Sequence, residues 1–228
     1  MASFVNIKNF LLRSYFIKIY LFFAVLGGAY IFIFFSKGEF IKAINTYANS
    51  NFDIVFKIIT ELGNGWILTA LAVVMLIYKY HTGIICILSL LLTTAVASFL
   101  KFVIFPEKMR PRFSFDDSFF VHLIDNFDYH SNFSFPSGHT MTAFCFFTCL
   151  AFTFRNKVWE SIFITLAVLV GLSRIYLLQH FFIDVFFGSI FGILNSIISI
   201  LLINKIFKNK QFISKGIKDL LYKNTSKT

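Results

Sequence analysis

The sequence contains few charged residues. Asp, Glu, Lys and Arg make up only 14% of its 228 residues, whereas 57% are hydrophobic and the mean hydropathy is +0.76. Because a soluble globular domain has about 25% charged residues, this composition excludes that class. It predicts instead a polytopic membrane protein.

Acidic residues are the scarcest charged group, at 11 against 21 Lys and Arg, which gives a net charge of +10. Such a basic balance can indicate nucleic-acid binding. Here, however, the cations are scattered at the ends of apolar segments and in a C-terminal tail, as expected for anchors beside anionic lipid. We therefore expect a membrane partner and no nucleic acid.

Cysteine is also rare. The sequence has three cysteines, all inside apolar runs, and their odd number and spacing match no metal-binding pattern. We interpret Cys86, Cys145 and Cys149 as small buried hydrophobic residues. No internal repeat and no second domain is visible, so residues 1–228 are predicted to form one transmembrane domain.

Six apolar runs are candidates for helices that cross about 30 Å of hydrocarbon. They cover residues 15–35, 65–78, 84–105, 138–154, 158–178 and 183–207. The first run is too long for a signal peptide and no cleavage site follows it, so we expect a retained anchor. The predicted fold class is therefore all-α, a bundle of six transmembrane helices.

Two polar stretches separate these runs. Residues 36–64 fit either an amphipathic segment at the membrane surface or a plain loop. Residues 106–136 form a polar loop of a length that usually has a function. In the last run, Gly188 and Gly192 are four residues apart, which favours close helix contact.

The distribution of lysine and arginine predicts the orientation. Six spans place both termini on one side, and the N-terminal segment, two short links and the basic tail (residues 208–228) carry most cations. By the positive-inside rule the termini are cytoplasmic. One of the two short links is a tight turn, expected at residues 79–83. With the termini in the cytoplasm, the polar loop and the charged clusters described next face outward.

Three clusters of polar residues interrupt the apolar pattern. His180 and Asp184 are four residues apart, so on a helix they share a face and the carboxylate can accept a hydrogen bond from the imidazole. Such a pair alone is more often a helix-surface contact than a catalytic pair. The segment 136–139, Pro-Ser-Gly-His, and the cations near residues 101–111 supply the remaining groups needed to hydrolyse a phosphate ester.

The cations and one helix start are the candidates for phosphate binding. Two guanidinium groups can each bind two phosphate oxygens, and a lysine adds a point charge. Ser137 is a good helix cap, and the backbone N–H groups of the helix that follows can bind an anion. The predicted phosphate-binding residues are Lys101, Arg110, Ser137, Gly138 and Arg174.

The two imidazoles are the candidates for catalysis. His180, oriented by Asp184, would attack phosphorus and become phosphorylated, and His139 would protonate the leaving alcohol and later activate water. This scheme needs neither a metal nor a cofactor.

The pattern resembles the type-2 phosphatidic acid phosphatase superfamily. Its signature has three parts: a lysine six residues before Arg-Pro, then Pro-Ser-Gly-His, then Ser-Arg, five residues, His, three residues and Asp. Residues 136–139 match the second part, and Ser173, Arg174, His180 and Asp184 match the third. The resemblance covers about residues 65–205.

The first part of the signature departs from the family. Val103 occupies the position of the family lysine, while Lys101 stands too far from Arg110 and Lys108 too close. We assign the lysine role to Lys101, since Pro106 could bow the chain outward and absorb two extra residues. Lys108 remains the alternative.

The resemblance implies a metal-free lipid phosphatase of the bacterial inner membrane with its active site facing the periplasm. Family members act on lipid A, undecaprenyl pyrophosphate and phosphatidylglycerol phosphate, and we favour lipid A. A transporter without hydrolytic activity is the alternative from another class, but it would place ionisable residues in the middle of spans. Haloperoxidases use a similar constellation but are soluble.

Other polar residues invite functional interpretations as well. His122 and His130, with two aspartates between them, could hold a metal, but their irregular spacing favours a solvated loop. Asp116 and Asp117 could recognise a headgroup or balance Arg112, and we favour the second. Lysines 37, 42 and 57 are interpreted as interfacial anchors.

Overall fold

A computed structural model describes residues 7–207. In that part of the chain the secondary structure is helical, and no strand is formed. The helices are α1 (Ile7–Arg13), α2 (Tyr15–Phe22), α3 (Gly28–Phe34), α4 (Lys37–Thr46), α5 (Ser50–Glu61), α6 (Gly65–Tyr78), α7 (Tyr80–Phe99), α8 (Pro111–Ser114), α9 (Gly138–Phe154), α10 (Lys157–Tyr176) and α11 (Phe182–Ile206). The predicted basic tail lies outside the described residues.

Four helical segments of the described chain are long and apolar enough to cross a membrane. They are Tyr15–Phe34, Tyr80–Ile104, Lys157–Tyr176 and Phe182–Ile206. Helices α5 and α6 form a fifth if they are taken together, with a bend of 47° between them. Helix α9 has 17 residues and is shorter than these. The predicted all-helical membrane bundle is thus confirmed, but six full spans are not.

Two of the predicted segments have the same bounds in the structure, namely residues 65–78 and 138–154. The predicted turn at residues 79–83 is wrong, because α7 already begins at Tyr80. Gly83 permits this sharp connection: a Cβ atom at Gly83 would lie 2.5 Å from the backbone nitrogen of Leu76.

Helix α9 lies in the centre of the bundle and packs against α7, α10 and α11. Its side chains from Thr140 to Phe152 are all buried, as expected for a helix that is apolar all round. The predicted close contact of the glycines is confirmed. A Cβ atom at Gly188 would lie 3.0 Å from the Ser137 carbonyl oxygen, and one at Gly192 would lie 2.5 Å from that of Met141.

Residues 36–64 form helices α4 and α5 with a short link between them, so they are not a plain loop. Ser36 and Glu39 form a capping box that begins α4. Helix α5 packs against α10, and it buries Asp53 and Thr60. Their placement at the membrane surface stays a prediction.

The polar loop 106–136 contains α8 and one short 3-10 turn, and side chains from α4 and α5 anchor it. Asn45 of α4 accepts hydrogen bonds from the backbone N–H groups of Val121 and His122, at 2.7 and 3.0 Å. Asp53 of α5 bonds the His122 ring at 2.9 Å. These contacts hold the loop against the end of the bundle where the candidate site lies.

Candidate active site

Three chain segments meet at one end of the bundle: the end of α7 with the loop after it, the start of α9, and the link between α10 and α11. They carry the three predicted clusters. His180 is 1% exposed, and the charges of Arg110, Lys101, Arg174 and His139 all act on it. The first and third clusters, which lie about 80 residues apart in the sequence, are therefore brought together with the second.

Lys101 reaches this site because the last turn of α7 widens. Residues Leu100–Ile104 form a π-helical turn, a feature that is frequent at functional sites. A Cβ atom at Gly138 would lie 3.8 Å from Lys101 Nζ, so the ammonium group faces the start of α9.

The two alternative positions lie elsewhere. Val103 is 62% exposed and points away from the bundle. Lys108 is exposed, and its backbone carbonyl accepts a hydrogen bond from Ser134 N–H. The geometry favours Lys101.

Arg110 is held rigidly at the mouth of the site. Its Nε donates to the Asn132 carbonyl at 2.9 Å, and its Nη1 donates to Gln179 Oε1 at 2.5 Å. Burial lowers the pKa of Arg110 to about 10, partly offset by Asp184 and Asp128, so it stays positively charged at neutral pH. The remaining guanidinium nitrogen can bind an anion.

The start of α9 forms as predicted, but it offers fewer N–H groups than expected. Ser137 caps the helix, and its Oγ accepts hydrogen bonds from the Thr140 backbone and hydroxyl. However, Ser137 N–H donates to the Asp184 carbonyl at 3.0 Å, so it is not free for phosphate. Within the described residues, the N–H groups of Gly138 and His139 have no protein acceptor and remain available.

Arg174 is almost completely buried in the last turn of α10. One of its terminal nitrogens donates to Thr60 Oγ1 of α5 at 2.8 Å. Its Nε is buried without a hydrogen-bond partner in the described structure. An unpaired buried guanidinium N–H is costly, which points to an anionic ligand that is bound during function.

His180 does not lie on a helix with Asp184, so that expectation is wrong. Helix α10 ends at Tyr176, the chain reverses through Leu178 with a φ of 54°, and α11 begins only at Phe182. His180 Nδ1 lies 3.7 Å from Asp184 Oδ2 and makes no hydrogen bond. The predicted imidazole–carboxylate hydrogen bond is therefore not formed in this structure.

The electrostatic environment of His180 favours its neutral form. Burial is the largest cause, and the positive charges of Arg110, Lys101 and Arg174 add to it; together they hold the pKa of His180 well below its usual value. A neutral imidazole has the free lone pair that a nucleophile requires.

Three residues of the site were not recognised in the sequence. Ser134 donates to Asp184 Oδ2 at 2.5 Å, Gln179 supports Arg110, and Thr60 supports Arg174. The only local signal was their polarity: Gln179 directly precedes His180, and Ser134 lies just before the Pro-Ser-Gly-His segment. Their roles depend on contacts between distant segments.

The other polar residues of the loop are explained by local contacts. His122 pairs with Asp53, and the exposed His130 lies 3.9 Å from Asp128. Within residues 7–207 no group of His, Cys, Asp or Glu has the arrangement of a metal site. Arg112 forms a salt bridge with Asp117 at 2.7 Å, as predicted.

Comparisons with known proteins identify the family of this chain. The model of the PAP2 superfamily matches residues 82–208, more than half of the chain, and this range contains every predicted site residue. The chain therefore belongs to the PAP2 superfamily.

Two solved structures share its fold. LpxE of Aquifex aeolicus superimposes with a TM-score of 0.65 and 31% identity, over 74% of this chain and 97% of that one. A transmembrane PAP2 type phosphatidylglycerolphosphate phosphatase of Bacillus subtilis superimposes with a TM-score of 0.57 and 28% identity, over 86% and 98%.

Phosphatidylglycerophosphatase B of Bacillus subtilis (strain 168) is a curated relative. It is 41% identical over 75 residues. That stretch is 29% of this chain and 37% of the relative's length.

Proposed function

We propose that this protein is an integral membrane phosphatase that hydrolyses a phosphate monoester on a lipid headgroup. One observation carries the proposal: Arg174 Nε is buried and unpaired within the described structure, and Lys101, Arg110, His139 and His180 lie in the same site. Such a concentration of cationic and imidazole groups is suited to a phosphate with two negative charges. Membership of the PAP2 superfamily supports it.

Phosphate binding is assigned to the cations and the start of α9. Lys101, Arg110 and Arg174 neutralise the three non-bridging oxygens, and the N–H groups of Gly138 and His139 donate to them. Because these groups are fixed before substrate binds, they stabilise the charge that develops in the transition state without rearrangement.

The first chemical step is attack by His180. Its Nε2 forms a bond to phosphorus while the bond from phosphorus to the lipid oxygen breaks, and His139, whose protonated form is stabilised by the negative charge of the bound phosphate, gives its proton to that oxygen. Asp184 stabilises the positive charge that appears on the His180 ring. The products of this step are the free lipid alcohol and a phosphohistidine.

The second step regenerates the protein. Neutral His139 takes a proton from a water molecule, the water oxygen attacks phosphorus, and the bond from phosphorus to His180 breaks. Inorganic phosphate leaves, and His139 is protonated again. The cations carry the phosphate charge throughout, so the scheme requires no metal ion or cofactor.

Among lipid substrates we favour lipid A. Members of the superfamily that this chain resembles act on lipid A, and the similarity to LpxE over 97% of that chain is the basis of this choice. The relatives that act on phosphatidylglycerophosphate support the alternative, and undecaprenyl pyrophosphate is a third candidate. Phosphate release from the three purified lipids in detergent, measured side by side, tests the choice. Release from the prenyl pyrophosphate alone would refute it.

We further propose that the site faces the periplasm of a bacterial inner membrane, with both termini in the cytoplasm. The distribution of lysine and arginine between the loops supports this orientation. Single cysteines placed at exposed positions 117 and 156 test it in intact spheroplasts, in a variant lacking the three native cysteines. An impermeant maleimide should label only position 117; labelling of position 156 alone would reverse the orientation.

A further inference from the structure

A cavity of about 200 Å³ opens beside the phosphate-binding residues. Lys101, Gly138 and His139 form one end of it. From there it follows α7 as far as Thr93, eight residues or about 12 Å along the helix. The bend between α5 and α6, which contains Gly63, forms the opposite wall. The cavity thus runs from the proposed general acid along the face of an apolar helix.

Two hydroxyl groups on the α7 wall of this cavity lack an intrahelical acceptor. Many helical hydroxyls here donate to a carbonyl one turn earlier; examples are Thr148, Thr153 and Thr165. The hydroxyls of Thr94 and Ser98 make no such bond in the described structure, although both line the cavity. A hydroxyl without a partner beside hydrocarbon is costly, which favours a ligand that carries oxygen atoms.

The spacing of these hydroxyls places them in line with the phosphate site. Thr94, Ser98 and Lys101 are separated by four and three residues, so they share one face of α7. The phosphate bound by Lys101 would lie above Ser98, and Thr94 would lie one turn deeper. A lipid alcohol attached to that phosphate would therefore pass both hydroxyls.

We propose that this cavity holds the leaving alcohol of the substrate, and that Ser98 and Thr94 donate hydrogen bonds to its ester or hydroxyl oxygens. The inference rests on the proposed function, because His139 as general acid fixes the leaving oxygen at the end of the cavity. The substrate class is then a lipid alcohol with oxygen atoms close to the phosphate, such as an acylglycerol or an acylated sugar. A prenyl alcohol offers no such oxygen.

The size of the cavity limits which part of the lipid it holds. Pockets that enclose a drug-sized ligand measure about 300–1,000 Å³, more than the volume of about 200 Å³ found here. The cavity therefore takes the oxygen-bearing part of the alcohol next to phosphorus. The hydrocarbon chains would leave it past the exposed side chains of Phe102 and Thr94.

The hydrogen bonds from Ser98 and Thr94 are tested by comparing kcat/KM for two phosphate monoesters, one with ester oxygens near phosphorus and one without. Dioctanoyl phosphatidic acid and farnesyl phosphate are assayed with the full-length protein in one detergent. Ser98→Ala and Thr94→Val should each lower kcat/KM for phosphatidic acid about 3- to 10-fold, the range expected for one lost hydrogen bond, and change farnesyl phosphate less than twofold. Thr165→Val is the matched control, because it removes a hydroxyl of α10 that already donates to the Ser161 carbonyl. It should leave kcat/KM unchanged for both substrates.

Product inhibition tests the location without measuring the chemical step. Ala97 also lines the cavity, and Ala97→Leu should fill it. This variant should weaken competitive inhibition by dioctanoylglycerol at least fivefold, while inhibition by inorganic phosphate, which binds the cationic site, stays within twofold.

The outcomes distinguish this inference from the proposed function. Equal losses for both substrates in the Ser98 and Thr94 variants, or unchanged inhibition by dioctanoylglycerol in Ala97→Leu, would overturn the leaving-group site while phosphate release persists. Absence of phosphate release from every monoester by the unaltered protein would instead refute the proposed function.

Discussion

The Asp184 carboxylate lies beside the His180 ring but directs its hydrogen bonds elsewhere. Its Oδ2 is 3.7 Å from His180 Nδ1, whereas it accepts a hydrogen bond of 2.5 Å from Ser134 Oγ and one of 2.9 Å from Phe181 N–H. The carboxylate is thus fixed by its own partners and not by the imidazole. Catalytic hydrogen bonds are often long in ligand-free structures, and we expect this one to shorten when the ring becomes positively charged.

The role of Ser134 as a positioning residue can be tested by mutation. Ser134→Ala should lower kcat about 10-fold with little change in KM, because Asp184 loses the partner that holds it near His180 while the phosphate-binding cations are untouched. Ser134→Thr, which keeps the hydroxyl, should restore most of the activity. A rise in KM without loss of kcat, or no rescue by threonine, would contradict this role.

The two candidate lysines should differ sharply. Lys101 faces Gly138, whereas Lys108 is exposed. Lys101→Ala should lower kcat/KM about 100-fold, the loss typical for one group that stabilises transition-state charge, and Lys108→Ala should lower it less than threefold. Steady-state phosphate release in detergent measures both variants. The reverse order would transfer the family lysine role to Lys108.

The pH dependence follows from the lowered pKa of His180. Because only the neutral ring attacks phosphorus, protonation of His180 should limit kcat/KM only below its usual pKa of about 6.5. Arg110→Gln removes a positive charge that opposes this protonation, so the pKa of His180 rises and the acidic limb moves to higher pH.

Arg112→Gln is the control for this shift. Arg112 lies in the same loop but pairs with Asp117, and it should leave the acidic limb in place. Ionisation of the substrate contributes equally in all variants. A limb that stays unmoved in Arg110→Gln would show that His180 does not titrate in this range.

Packing between α9 and α11 depends on Gly192. A Cβ atom there would lie 2.5 Å from the Met141 carbonyl oxygen, so Gly192→Ala forces the helices apart. We expect a loss of about 1–3 kcal/mol in unfolding free energy, the usual cost of overpacking. Gly27→Ala is the matched control, because nothing lies within 4 Å of a Cβ at that position. Thermal unfolding in detergent compares the two, and equal stability would contradict the close contact.

Hydrophobic runs predicted the helices well, because a membrane helix depends on local apolarity. The bounds of α6 and α9 were correct, and Ser137 was recognised as a cap. The spacing of His180 and Asp184 was misleading, since a four-residue interval indicates one helix face only when both residues are helical. The left-handed conformation of Leu178 ends the helix before His180, and a leucine side chain does not predict that conformation.

The hydrogen bonds that hold the two site arginines could not be predicted from local sequence patterns. The hydrogen bonds that Arg110 donates to Gln179 and Arg174 donates to Thr60 join residues 69 and 114 positions apart. Such pairs depend on how α5, α10 and the polar loop pack, which local patterns do not specify. The sequence already favours Lys101 over Lys108, but the π-helical turn at the end of α7 that brings Lys101 to the site is seen only in the structure.

The central claim is that His180 becomes phosphorylated during turnover. The most direct test is to mix the protein with a lipid monoester carrying radiolabelled phosphate, quench with alkali, in which phosphohistidine is stable, and map the labelled residue. We predict label on His180 in the unaltered protein, and neither label nor phosphate release in a folded, membrane-inserted His180→Ala variant. Label on another residue, or sustained phosphate release by His180→Ala, would contradict the account.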